Sequence, residues 1–532
     1  MSAFAPFLLH HLPQQAAQRT PQAAALISGK TTLNYAELCA QCDALAAHWL
    51  RTAVERGARI AIWLEKCPQA VAACFAASQA GAVFVPINPL LKPAQVRHIL
   101  QDSGAAVLVT SAARLPLLAA ELPACTALRQ VLLNDAALPA SAPALPAHCA
   151  LCAYPAPAEA PPACAGQTEN DLAALLYTSG STGRPKGVML SHRNLIAGAA
   201  SVAQYLENRA DDCLLAALPL SFDAGFSQLT TAFSVGARVV LLNYLLPRDI
   251  VLACARHGVT GLTAVAPLWM QLAGLDWPSH SLRYFANTGG HLPRAVVQQL
   301  RARLAPARPV LMYGLTEAFR ATWLPPEEID RRPDSMGRAI PNAEILVLRA
   351  DGTPCAADEP GELVQRGPLV AQGYWNDAAR SAERFRPLPP ALAGSARGEI
   401  AVYSGDTVRM DADGYCWFIG REDEMIKTSG YRVSPVEIEE ALYASTLVRE
   451  CAAFGLPDAA LGQRIAVAVQ PAEDDADNVT AQLLAHCRAT LPAWMQPAHI
   501  ALYTAPLPRN ANGKIDRPAL RAALLDENAP QD

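Results

Sequence analysis

Short apolar runs alternate with amphipathic stretches along the first part of the chain. Apolar runs fall at 59–64, 82–87 and 105–109, and segments with helical spacing fall at 68–80 and 93–102. This alternation predicts an α/β sheet with parallel strands. Ahead of it, Leu33-Asn34-Tyr35-Ala36-Glu37-Leu38 predicts a helix running to about Arg51, with Asn34 as its N-cap. Residues 135–168 are rich in Ala and Pro and lack a period, which predicts a surface connection and not a domain. A second α/β region is predicted from about Leu172 to Arg332. From Ser335 to Gly420 the runs shorten (344–348, 361–366, 407–410, 415–419) and are punctuated by Gly, Pro and Asp, as in a small β-rich subdomain. The last unit, 421–532, mixes predicted helices at 435–443 and 481–491 with strands at 450–455 and 463–470. No internal repeat is present.

At 532 residues the chain is too long for one ordinary core. A hydrophobic content of 52% with 17% charged residues suits a globular enzyme, and a net charge of −5 gives no electrostatic case for nucleic acid. The N-terminus is apolar but has no basic segment, so a secretory signal is not expected. The longest apolar stretch, 70–87, is interrupted by Ser78, Gln79 and Pro86 and predicts a buried helix followed by a strand, not a membrane span. Fourteen cysteines include two C-x-x-C pairs, Cys39/Cys42 and Cys149/Cys152. A zinc site would use both pairs. The first lies in a helical pattern and the second in the Ala/Pro connector, so scattered free thiols in a reducing cytoplasm are the expectation.

Four strings carry chemistry. Tyr177-Thr178-Ser179-Gly180-Ser181-Thr182-Gly183-Arg184-Pro185-Lys186-Gly187-Val188 lies between two apolar runs. Its glycines free backbone N–H groups to face a ligand, its hydroxyls add donors and Lys186 adds a charge, as a polyphosphate cradle requires. It is not a Walker A loop, because Gly187 follows the lysine. Tyr313-Gly314-Leu315-Thr316-Glu317 follows an apolar strand. Tyr403-Ser404-Gly405-Asp406 precedes Gly420-Arg421-Glu422-Asp423. Asn510-Ala511-Asn512-Gly513-Lys514 lies near the C-terminus. Taken singly, these three read as a helix start, a turn aspartate and an exposed turn lysine.

Together and in this order, the strings resemble those of the AMP-forming adenylate-forming superfamily: acyl-CoA ligases, amino-acid adenylation enzymes and luciferases. The resemblance spans Leu33 to Arg517. It implies a large N-terminal domain, 1–420, of two α/β subdomains plus a small β-barrel subdomain at about 335–420. This would be hinged to a small mobile α+β C-terminal domain, 421–532. The implied reaction joins ATP to a carboxylate with loss of pyrophosphate, then passes the acyl group to a pantetheine thiol of CoA or of a carrier protein. Thr178, Ser179, Gly180, Ser181, Thr182, Gly183 and Lys186 would hold the phosphates, and Thr316 the α-phosphate. Glu317 would hold Mg²⁺, Tyr313 would stack on adenine, and Asp406 and Arg421 would address the ribose. Lys514 would bridge the carboxylate and the α-phosphate. Asp423 would be the hinge and Gly430 would line a pantetheine channel.

Asp223, in Ser221-Phe222-Asp223-Ala224-Gly225, stands where fatty- and aromatic-acid ligases commonly carry His with an aromatic. It resembles the amino-acid-activating branch, in which this aspartate meets the α-ammonium. The alternative reading is an exposed loop aspartate. Matching motifs adds Ala224, Ser227, Ala286, Thr288, Gly289, Met312, Arg320 and Ala321 to the pocket. Arg320 is unusual there: it could turn outward, pair with Asp223 or meet a polar substrate end. The strings 313–320 and 243–249 resemble both prolyl-carrier-protein ligases and AMP-forming acyl-CoA ligases associated with bacterial exosortase systems. The favoured expectation is a small amino acid such as proline, loaded on a carrier protein in trans. The alternative is a non-amino acid joined to free CoA.

Overall fold

The computed structural model describes residues 5–527 except 53, 140–142, 157–165, 179–184, 393–398, 422–423, 429–430, 459–460, 474–477 and 511–512. Two large sheets carry the first 340 or so residues. One has seven strands in the order Ala150–Cys152, Gln130–Leu133, Ala105–Thr110, Arg59–Ile62, Val83–Pro86, Leu172–Thr178 and Lys186–Ser191, parallel except for the last pair. The other has nine, with a parallel centre formed by Cys213–Ala216, Arg238–Leu241, Gly261–Val265, Tyr284–Thr288 and Arg308–Tyr313. The fold is the α/β class that the strand–helix alternation predicts.

Alternation along the strands sorts the helices into layers. Leu214 and Ala216 face a core that also holds Ile60, Ile62 and Phe84 of the seven-stranded sheet, with helices Tyr35–Arg51, Pro68–Gln79 and Asp223–Val235 packed between. Cys213 and Leu215 face the opposite way, onto helices Pro247–His257, Ala266–Ala273 and Arg294–Arg303. The helix Pro68–Gln79 buries ten of its twelve residues, which explains the longest apolar stretch as an interior helix. No described helix is long and apolar enough to cross a membrane. Asn34 caps the helix Tyr35–Arg51 in a capping box with Glu37.

Two features differ from the sequence reading. The hairpin that carries the Gly/Ser loop belongs to the first sheet and not to the second region, because Phe84 pairs with Ala174. The connector contributes an edge strand, Ala150–Cys152, parallel to Gln130–Leu133; three residues are too few to leave a period.

A five-stranded antiparallel sheet follows. Its long strand Ile400–Met410 pairs with Gly361–Arg366, Phe385–Pro387 and Cys416–Arg421. The small C-terminal unit has its own sheet, built on the long antiparallel pair Val448–Asp458 and Gly462–Pro471. The described cysteines are free thiols.

Two buried histidines pin the N-terminal helix. His192 Nδ1 accepts the Leu9 N–H at 3.1 Å, and His10 Nδ1 lies 2.9 Å from Ser78 Oγ. Burial lowers the pKa of His10 to about 3 and of His192 to about 4. Both therefore stay neutral in the folded chain at pH values where the unfolded chain, near 6.5, takes up protons. Stability is full above pH 6.5 and falls progressively as pH drops towards 4, by a few kcal/mol. Thermal melting across that range should show the decline, and His192→Gln should flatten part of it.

Candidate active site

The strand Leu172–Thr178 pairs antiparallel with Lys186–Ser191, and the register Thr178↔Lys186 closes the Gly/Ser loop. Thr178 Oγ1 is buried with no partner among the described residues. Ser179, Gly180, Ser181, Thr182 and Gly183 lie outside the described residues, as do Asp423 and Gly430.

Lys186 ends its strand beside Glu317. Its Nζ donates to Tyr374 Oη at 2.8 Å and lies 3.4 Å from Glu317 Oε1, while Tyr374 Oη donates to the same oxygen at 2.6 Å. Tyr374 arrives because residues 372–375 run alongside the lysine strand: Trp375 N–H meets Gly187 O, and Met189 N–H meets Gly373 O. Burial opposes the charge on Glu317, but Lys186 and the Tyr374 hydroxyl outweigh it and hold the carboxyl below its usual range. Burial lowers the Lys186 ammonium more than Glu317 raises it. The sequence reading missed Tyr374; its one signal is a pair of aromatics, Tyr374-Trp375, behind Gly373. Tyr374→Phe should remove the bridge while leaving the ring in place. The expected result is a several-fold higher Mg²⁺·ATP concentration for half-maximal activity at nearly unchanged melting temperature, read from a Mg²⁺·ATP titration.

Tyr313 and Asp406 meet although 93 positions separate them: Tyr313 Oη donates to Asp406 Oδ2. Asp406 Oδ1 is buried and has no hydrogen-bond donor among the described residues, with Arg421 Nε 3.5 Å away as a loose ion pair. Burial raises the Asp406 pKa against the pull of Arg421. An acceptor therefore stands ready beside an aromatic ring, as a nucleoside requires.

Lys514 enters from the C-terminal unit. Its turn is held by Arg509, which donates to Gly513 O at 2.8 Å and pairs with Glu450. Lys514 is partly exposed and reaches Gly289 of the large domain: its Cε would lie 3.8 Å from a methyl group placed there. Burial lowers its pKa, with Asp223 the largest opposing influence. His291 of the large domain likewise pairs with Glu440 of the small one.

Asp223 opens the helix Asp223–Val235 and is 4% exposed, so it is not a loop aspartate at the surface. The turn before the helix packs so closely that a Cβ on Gly225 would stand 1.8 Å from Pro219 O; only glycine fits. Of the three readings of Arg320, the structure takes the second: Nη1 donates to Asp223 Oδ2 at 2.8 Å, both side chains buried. A small cavity follows, lined by Ala224, Ser227, Met312 and Arg320 of the expected set, with Thr231, Gln228, Thr263 and Tyr284 added. Thr288 is buried at the end of the strand Tyr284–Thr288, next to Gly289. Ala286 and Ala321 do not line the cavity. Ala321 packs against Ile345, Val347 and Leu363 of the antiparallel sheet, on the other side of its segment from Arg320.

The fold and these clustered groups define an adenylate-forming enzyme. The chain belongs to the AMP-binding enzyme family, whose model matches residues 13–375, and the model of the family's C-terminal domain matches 437–514. An L-proline–[L-prolyl-carrier protein] ligase of Pseudomonas fluorescens is 31% identical over 96% of this chain and 98% of its own. A feruloyl-CoA synthase of an Amycolatopsis species is 31% identical over 94% and 96%. A linear gramicidin synthase of Brevibacillus parabrevis matches at 31% over 97% of this chain, which spans only 6% of that much longer protein. The crystal structure of the anthranilate CoA ligase AuaEII with anthranoyl-AMP superposes with a TM-score of 0.87 at 25% identity, over 99% of each chain. The protein is an AMP-forming acid–thiol ligase.

Proposed function

We propose that the chain activates a small amino acid and transfers it to the phosphopantetheine thiol of a separate carrier protein. The observation that carries this reading is Asp223. It is a buried carboxylate whose charge is the largest influence opposing the lowered pKa of Lys514, which supports a position near the substrate's carboxylate. A buried carboxylate there is costly unless a cation meets it, and an α-ammonium beside a reacting carboxylate is such a cation.

In this reading residues 421–532 act as a lid that turns about Asp423. Its Lys514 face serves adenylation, and the face with Gly430 serves the pantetheine arm. The loop with Thr178, Ser179, Gly180, Ser181, Thr182, Gly183 and Lys186 holds the departing pyrophosphate, and Thr316 addresses the α-phosphate. Tyr313 stacks on adenine while Asp406 and Arg421 take the ribose hydroxyls. Glu317 fits a magnesium ligand, since it is anionic and offers a hard oxygen. Among the described residues no cluster of three or more His, Cys, Asp or Glu could hold a metal, so Mg²⁺ would share Glu317 with phosphate oxygens.

The Arg320–Asp223 pair favours a second reading: Asp223 is already neutralised, and an amine-free acid enters without it, with free CoA as the acceptor. ATP–pyrophosphate exchange over amino acids and amine-free acids separates the two. Exchange confined to amine-free acids would reject the first. Thioester formation with CoA against holo-carrier protein then decides the acceptor.

A further inference from the structure

Arg320 reaches the cavity by a route that the backbone is bent to provide. Phe319 has φ +59° and ψ −64°, the centre of a tight γ-turn closed by Arg320 N–H to Ala318 O at 2.7 Å, a conformation that a bulky residue rarely adopts. Its ring is locked in place: a Cβ on Gly198 would stand 2.4 Å from Phe319 Cε1, so that helix comes within contact only because glycine is there. The outcome of this strained turn is that the next side chain, Arg320, points inward and is 2% exposed.

The guanidinium is not used up by its neighbours. Nη1 serves Asp223 Oδ2 and the Phe319 carbonyl, at 2.8 and 2.7 Å. The Nε–H is buried with no acceptor among the described residues. Gln228 Oε1, on the cavity wall, is likewise buried without a donor there. A buried arginine with an unmet N–H beside a substrate cavity calls for an oxygen that the protein does not supply.

Charge decides which oxygen. Asp223 and Arg320 cancel each other. With the α-carboxylate met by Lys514, an amino acid with a neutral side chain brings only its α-ammonium to this buried pair and leaves that charge uncompensated. An amino acid with a side-chain carboxylate adds none: its ammonium faces Asp223 and its carboxylate faces Arg320, so signs alternate through the site. The two protein charges are in direct contact, so the complementary substrate charges must lie a few bonds apart. At about 20 Å³ the cavity beside Arg320 holds about one water, so only the shortest acidic side chain could take its place.

We propose that the substrate is a short acidic amino acid, its α-ammonium held by Asp223 and its side-chain carboxylate by Arg320. This rests on the amino-acid reading above and narrows it. The alternating charges also explain why the pair is kept: without substrate, each group is the other's counterion.

The test uses the purified full chain in ATP–pyrophosphate exchange with L-aspartate, L-glutamate, L-alanine, L-proline and succinate. The expected result is exchange with aspartate at least tenfold above alanine and proline, and above succinate. In Arg320→Leu the aspartate-to-alanine ratio should fall at least tenfold. Should that variant fail to fold, judged by melting temperature and ATP binding, Arg320→Lys keeps the cation without the Nε–H and should show a smaller fall in the same ratio. Alanine or proline exchanging better than both acidic amino acids would overturn the inference and leave the amino-acid reading standing. Succinate exchanging as well as aspartate would overturn the reading on which it rests. Absence of exchange with all five would overturn the inference outright. An unchanged ratio in the folded arginine variants would remove Arg320 from recognition.

Discussion

Lys514→Ala should lower carboxylate-dependent ATP–pyrophosphate exchange by about 10²–10³-fold, the usual effect of removing a preorganised charge from a transition state. Thioester formation from a supplied acyl-adenylate should stay within a few-fold of the parent. The asymmetry follows from where the lysine sits. It belongs to the C-terminal unit and reaches Gly289 of the large domain, so its contribution exists only in this arrangement of the two domains. An equal loss in both half-reactions would reject a lid that serves one step at a time. The same side chain sets a pH limit. Burial lowers its pKa from the ordinary lysine value of 10.5, and charge stabilisation needs the ammonium. Adenylation should therefore decline on the alkaline side beginning below pH 10.5. Lys514→Arg, which stays charged, should move that limb upward even if its rate is lower. A limb that does not move would assign it to another group.

Asp223→Ala should be the most destabilising single change in the site. It leaves the Arg320 guanidinium buried without a counterion, a loss on the order of 3–5 kcal/mol. Denaturant unfolding of the large domain measures it. Asp223→Asn keeps a hydrogen-bond acceptor and should cost less. The double variant Asp223→Ala with Arg320→Leu, which removes both charges, should recover most of the lost stability. If the double variant is as unstable as the single one, the pair does not explain the cost. Activity moves separately: the double variant should remain unable to exchange with amino acids although it is folded, since nothing then receives the ammonium. Retained amino-acid exchange would favour the amine-free alternative.

The His291–Glu440 contact bears on both experiments. It ties the large domain to the helix Pro435–Ala444 while Lys514 is at Gly289. Removing it with His291→Ala should weaken this arrangement and slow adenylation more than transfer.

What was legible in the chain was local. Asn34 and Glu37 sit three residues apart, so a capping box is a sequence property, and it forms. The apolar stretch from residue 70 carries its own punctuation at Ser78, Gln79 and Pro86, and it resolves into an interior helix and a strand. The Gly/Ser string, the Tyr-Gly-Leu-Thr-Glu string and the terminal lysine string identified the family because each is short and contiguous in the chain. Packing over distance was not legible. Which sheet takes the hairpin at Leu172–Thr178 depends on one pairing with Phe84, 90 positions earlier by the register Phe84↔Ala174, and no periodicity encodes a neighbour. Tyr374 meets Lys186 across 188 positions because one isolated bridge lays its segment along the lysine strand. Arg320 could have turned to solvent, to Asp223 or to a ligand on sequence grounds. The turn at Phe319 and the glycine at 198 decided it, and they belong to elements far apart in the chain. The sequence by itself thus determined the reaction class, because phosphate and nucleotide chemistry is written in contiguous strings. The tertiary structure alone decided that Arg320 pairs with Asp223, because a buried ion pair exists only where two distant segments are brought out of water together.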